Sequence, residues 1–156
     1  MPLADGYELR LEIPSVEDFR RLREVTGLST KTQEAAALGL PNSWASAIIV
    51  REGRTVAMGR VIGDGGCHFQ IVDMAVEPAE QGRGLGKAIF SALMDELNAR
   101  APKSAYVSLI ADGDAQHLYA KFGFKSVMPA SIGMAQWIGG KPPRSPLAPP
   151  AEPEGS

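Results

Sequence analysis

The stretch Val72-Asp73-Met74-Ala75-Val76-Glu77-Pro78-Ala79-Glu80-Gln81-Gly82-Arg83-Gly84-Leu85-Gly86-Lys87 decides the fold. A short apolar run reads as a strand and is stopped by Pro78. A Gly-x-Gly-x-Gly loop follows, and then an apolar helical pattern carried by Ile89, Phe90, Leu93, Met94 and Leu97. Strand, glycine loop and helix together aim several backbone N–H groups at one point ahead of a helix N-terminus. The helix dipole adds roughly half a positive charge there, so the place suits a phosphate or pyrophosphate.

What the loop lacks narrows the ligand. A Walker loop needs a glycine where Gln81 stands and a hydroxyl where Ala88 stands. The Rossmann fingerprint needs Gly or Ala three positions after Gly86, where this chain has Ile89. Both readings fail on named residues.

The six residues that remain, Gln81-Gly82-Arg83-Gly84-Leu85-Gly86, resemble the Gln/Arg-x-x-Gly-x-Gly/Ala motif of the GNAT acetyltransferase superfamily. A second landmark, Leu118-Tyr119-Ala120-Lys121-Phe122-Gly123-Phe124, is similar to that superfamily's Leu-Tyr-x-x-x-Gly-Phe signature, in the right order and at the right spacing. The resemblance spans residues 6 to 138. It implies an α/β (α+β) GNAT fold: a mixed, mostly antiparallel central sheet with helices on both faces and one splayed parallel strand pair, here Phe69–Val76 and Ala105–Ala111.

The resemblance also assigns roles. Gln81, Gly82, Arg83, Gly84, Leu85, Gly86 and Lys87 are expected around the pyrophosphate of acetyl-CoA. The backbone of Met74, Ala75 and Val76 is expected to pair with the pantetheine arm, and Lys121 to reach the adenosine end. Arg83, Lys87 and Lys121 read equally well as solvated charges. Tyr119 takes the position of the general acid near the sulfur, although a lone tyrosine beside Leu118 and Phe122 reads as core. Asp112 and Asp73 are the candidate bases. Asp73 interrupts an apolar strand, where a carboxylate is costly unless paired or useful; Asp112 also fits a helix N-cap region, and ordered water is a third route for the amine's proton. Asp112, Val72-Asp73 and Gly133-Met134 resemble the plant serotonin N-acetyltransferase branch more than the histone-modifying one.

Bulk properties set the outer bounds. The chain has 156 residues, a formal charge of -2 and one cysteine, Cys67. One domain with a single core is expected at this length. There is no basic footprint for nucleic acid, no intrachain disulfide and no apolar stretch of membrane-span length. A cytoplasmic location and no membrane partner are the expectations, with the oligomeric state open and a homodimer one option. His68 and His117 are too few and too far apart for a metal site, so no metal is expected.

Along the chain, strands are expected at 7–13, 44–51, 55–62, 67–76, 105–111 and 133–138. Helices are expected after the Ser15 cap, around Thr32 to Leu38, over 87–100 and about 114–122. The domain is expected to cover 1–138, and the Pro-rich segment 139–156 to form a disordered tail. The function implied is acetyl transfer from acetyl-CoA to a primary amine of a small molecule, an arylalkylamine or polyamine, by direct attack in a ternary complex. Trp44, Phe69 and Trp137 would line an aromatic pocket for such an amine unless they are core. Acetylation of protein N-termini or lysines is the alternative within the enzyme class, and a non-catalytic acyl-CoA binding module the alternative outside it.

Overall fold

A computed structural model describes residues 3–150. Five strands form one sheet in the order β1-β2-β3-β4-β5: Tyr7–Arg10, Ala45–Arg51, Arg54–Gly63, His68–Val76 and Tyr106–Ser108. All neighbours are antiparallel except β4 and β5, which are parallel. The helices are α1 (Val16–Thr26), α2 (Gln33–Gly39), α3 (Leu85–Arg100) and α4 (Ala115–Ala120).

Local chemistry accounts for the helix ends. The Ser15 hydroxyl accepts the Asp18 N–H at 3.1 Å and starts α1, and Thr32 does the same for Ala35 at the head of α2. Gly27 closes α1 in the left-handed region, at φ 82°, and its N–H returns to the last carbonyls.

The strands bury both faces, so their apolar residues split by parity. Ile48, Val50 and Met58 face α1 and α2, meeting Phe19, Leu22, Ala36 and Leu40. Ala47, Ile49, Val61, Phe69 and Ile71 face α3, against Ile89, Phe90, Leu93 and Leu97. On that side the approach is close. A Cβ placed on Gly59 would lie 2.5 Å from the Met74 sulfur and 2.6 Å from Ile89 Cγ2, so β3 accepts α3 only because residue 59 is glycine.

Three expected strands come out differently. β1 ends at Arg10 rather than at Ile13, with Leu11 and Ile13 exposed. β5 has three residues rather than seven. Residues 133–138 form no strand at all, and Met134 and Ile138 are 87% and 96% exposed. Strand tendency is realised only against a partner and a buried face, and this segment has neither. Residues 139–150 form no helix or strand, yet the Pro149 ring lies against Gly27 at the end of α1. The last six residues of the expected tail, 151–156, lie outside the described residues.

Candidate active site

β4 carries one extra residue. Between the pairs Met58↔Ala75 and Arg60↔Val72, three steps along β4 oppose two along β3. Asp73 absorbs the bulge at φ 61°, a left-handed conformation that aspartate tolerates better than most residues. The bulge switches the strand's faces. Phe69 and Ile71 point to the α3 side, as do Met74 and Val76 beyond it, while Ala75 turns to the α1 side.

β4 also outruns its parallel neighbour. β5 pairs with it only from His68↔Tyr106 to Gln70↔Ser108. From Ile71 to Val76 that side of β4 has no strand partner among the described residues. The Glu77 N–H goes to the Val56 carbonyl on the β3 side at 2.8 Å. By alternation, the backbones of Val76 and Met74 face the open side, where the Gln81 side-chain amide donates to the Val76 carbonyl at 3.2 Å.

The glycine loop lies beside this edge. Gly82 and Gly84 have φ 81° and 77°, which other residues adopt only under strain. Gly84 is the N-cap of α3 and has no side chain to cap it. The first helical bond is Ala88 N–H to the Gly84 carbonyl, at 3.0 Å, so the amides of Leu85, Gly86 and Lys87 precede the helical ladder. Leu85 is buried and anchors the turn, while Lys87 and Lys121 are exposed.

Arg83 is drawn back from the loop. It donates to the Tyr7 hydroxyl at 2.9 Å and lies 3.8 Å from Glu80. Tyr7 in turn donates to Glu80, and Arg51 donates to both at 3.0 and 2.9 Å. The Tyr7 hydrogen bond and the two arginines hold the Glu80 carboxyl below its ordinary value, against the opposing effect of burial. This network ties the turn at 78–80, immediately before the glycine loop, to β1 and β2.

Tyr119, on α4, stacks at 4.8 Å on Phe90 of α3. Burial, and then the negative charge of Asp112, raise its phenol above the ordinary value. Asp112 lies near enough for its charge to act on the Tyr119 hydroxyl, and no hydrogen bond joins the two among the described residues. Asp112 is exposed, and its carbonyl accepts the Ala115 N–H at 3.1 Å as α4 begins.

Asp73 is placed elsewhere. Its side chain is only 8% exposed and points to the α1 face, where one oxygen accepts from Arg23 and the other from Arg60. Both guanidiniums also lie over the Phe19 ring, at 5.6 and 5.5 Å. With both oxygens taken up by guanidiniums on the α1 face, the carboxylate has no lone-pair side turned toward the open edge of β4. The sequence reading missed Arg23, Arg60 and the Tyr7–Glu80 network. An arginine inside the apolar run Val56–Ile62, and another four residues after Phe19 on the buried side of α1, were the available signals.

The aromatic pocket does not form. Trp44 meets Phe69 edge-on at 4.7 Å, with Phe69 buried in the α3-side core. Trp137 stands apart, beside Lys141. Among the described residues no helix is long and apolar enough to cross a membrane.

Comparison with known proteins agrees with this geometry. Residues 43–126 match the family described as Acetyltransferase (GNAT) domain. A Staphylococcus aureus protein of unknown function, described as a probable acetyltransferase, superposes with a TM-score of 0.81 at 44% identity, over 85% of this chain and 99% of that one. Serotonin N-acetyltransferase 2, chloroplastic, from Oryza sativa subsp. japonica is 35% identical over 83 residues, covering 53% of this chain and 40% of the rice protein's length. The ribosomal-protein-S18-alanine N-acetyltransferase of Escherichia coli has the same fold, with a TM-score of 0.65 at 19% identity over 78% of this chain and 79% of that one.

Proposed function

The chain belongs to the GNAT acetyltransferase family, and on that premise we propose that it moves acetyl from acetyl-CoA to a primary amine of a small molecule in a ternary complex. The observation that carries this reading is the juxtaposition of the uncapped α3 amides with the unpaired edge of β4.

The residues present fit the cosubstrate. Nothing lies within 4 Å of where side chains on Gly82 and Gly84 would begin, so the loop leaves room for a close approach to its backbone. The amides of Leu85, Gly86 and Lys87 would hold the pyrophosphate, with Gln81 and Gly82 shaping the loop and Arg83 and Lys121 supplying outlying charge. The open-side backbone of Met74 and Val76, set by Ala75 between them, would pair with the pantetheine arm as an added strand does. Acetyl-CoA, when bound, supplies the activated acyl group.

Tyr119 holds its proton at neutral pH, since its phenol lies above the ordinary range. Full transfer to a thiolate, whose conjugate acid has a pKa near ~8.5 against ~10 for a phenol, is uphill. The hydroxyl therefore acts mainly by donating a hydrogen bond as charge develops on sulfur. Asp112, solvent-exposed and close to Tyr119, is the candidate acceptor of the amine's proton, directly or through water. Asp73, clamped by Arg23 and Arg60, positions the bulge.

The test is Tyr119→Phe. Removing one preorganised donor aimed at developing charge costs about a hundredfold or more, so kcat should fall by that order while the acetyl-CoA Kd, measured by calorimetry, stays within a few-fold. A variant that turns over near the wild-type rate makes the hydroxyl structural and removes it from the mechanism.

A further inference from the structure

On the α1–α2 side of the β4 edge, across the sheet from Tyr119, lies an open cavity of about 350 Å³. Its floor is β4 at Ile71, Val72 and Asp73, beside the gap that β5 leaves, with Ile110 at the far rim. Its walls carry three cations, Arg23, Lys31 and Arg60, against a single carboxylate, Asp73.

Asp73 cannot neutralise all of them. Each Arg23 nitrogen has a partner: Nη1 donates to Asp73, Nε to the Ser29 carbonyl and Nη2 to the Ser29 hydroxyl. Arg60 uses Nε on Asp73 and Nη1 on Ser43 and Gly39, but its Nη2 finds no acceptor among the described residues. Lys31 is half-buried, and its ammonium enters no ion pair among the described residues. If the cluster served only to neutralise Asp73, one arginine would do. The second adds desolvation and like-charge repulsion, and burial together with the charge of Arg60 works against the protonated form of Arg23, opposed by Asp73. Such an excess of partly desolvated positive charge beside the reaction gap is stabilised by an anion.

We propose that the acetyl acceptor carries a carboxylate or phosphate group besides its amine, held by Arg60 Nη2 and Lys31 so that the amine faces the β4 gap. This rests on the acetyltransferase reading above. It disfavours a polyamine, whose further positive charges would be repelled, and it fits an amine with a short apolar body against Ile62, Val72 and Ile110.

Two measurements test it. The first follows the Arg23 and Arg60 Nε–H resonances while inorganic phosphate is titrated into protein saturated with coenzyme A, so that the glycine loop is occupied. Saturable shifts at Arg60, weakened about tenfold in Lys31→Gln, are expected for one lost charge-assisted contact. The second compares matched acceptors, β-alanine with propylamine and phosphoethanolamine with ethanolamine. The anionic member of at least one pair should have the higher kcat/KM by about tenfold or more, and Lys31→Gln should erase that preference through KM. Unmoved Arg60 resonances, or neutral amines used as well as their anionic partners, overturn the anion site. Phosphate shifts at Arg60 with no acetyl transfer to either pair keep the anion site and overturn the small-molecule acetyltransferase reading instead.

Discussion

Replacing Asp73 by Asn separates a structural carboxylate from a catalytic one. The substitution keeps size and shape but removes the charge between two guanidiniums, whose side chains are 8% and 15% exposed, as the Asp73 side chain is 8% exposed. The new amide can accept from one arginine, but it turns a donor toward the other. Both cations then remain over Phe19 without an anion. Removing one partner from a buried ion pair costs about 3–5 kcal/mol, because the remaining charge is left desolvated and uncompensated. For a domain of this size each kcal/mol lowers Tm by roughly 2–4 °C, so a fall of about 6–20 °C is expected. Circular dichroism melts at low and high salt measure it. Salt should change the difference little, since buried pairs are weakly screened. Asp73→Asn combined with Arg60→Gln should recover part of the loss, because one unpaired cation is gone. A melt within about 2 °C of wild type would refute the reasoning, one kcal/mol or less then being at stake. If kcat/KM also lost its rise with pH, Asp73 would be the base after all.

Two further outcomes follow from the loop and its anchor. Gly84→Val meets no steric obstacle at Cβ, but it forces a β-branched residue to φ 77°. The strain of about 1–2 kcal/mol should weaken acetyl-CoA binding roughly five- to thirtyfold by calorimetry as the loop relaxes, and an unchanged Kd would show that the loop amides do not bind the cosubstrate. The Glu80 carboxyl, held below its ordinary 4.5 chiefly by Tyr7, contributes stability that is full above that value and fades as pH falls through the lower folded value. Glu80→Gln should therefore melt below wild type at neutral pH and converge with it as pH falls through the lowered folded value; a difference that persists undiminished in acid would show that the carboxylate is not what holds the turn.

Helix starts and stops were legible in the sequence because they are local. Ser15 and Thr32 cap within three residues, and Gly27 supplies its own left-handed stop. The glycine loop and the face of α3 were legible for the same reason: spacing alone places Ile89, Phe90, Leu93 and Leu97 on one side. Those local signals, with the Leu118–Phe124 signature, determined the family and the two-sided sheet. Tertiary structure decided the rest. Period-2 patterning does not reveal a bulge, so the face to which Asp73 points could not be read until its pairing with β3 was known. Its partners Arg23 and Arg60 lie 50 and 13 residues away, and only folding makes an unexplained carboxylate into a paired one. Residues 133–138 meet no strand among the described residues, and β5 parts from β4 after Ser108, so in both places the local tendency went unused. The cations around the β4 gap come from α1, the segment between α1 and α2, and β3, so the charge of that cavity belongs to the fold and to no single segment of the chain.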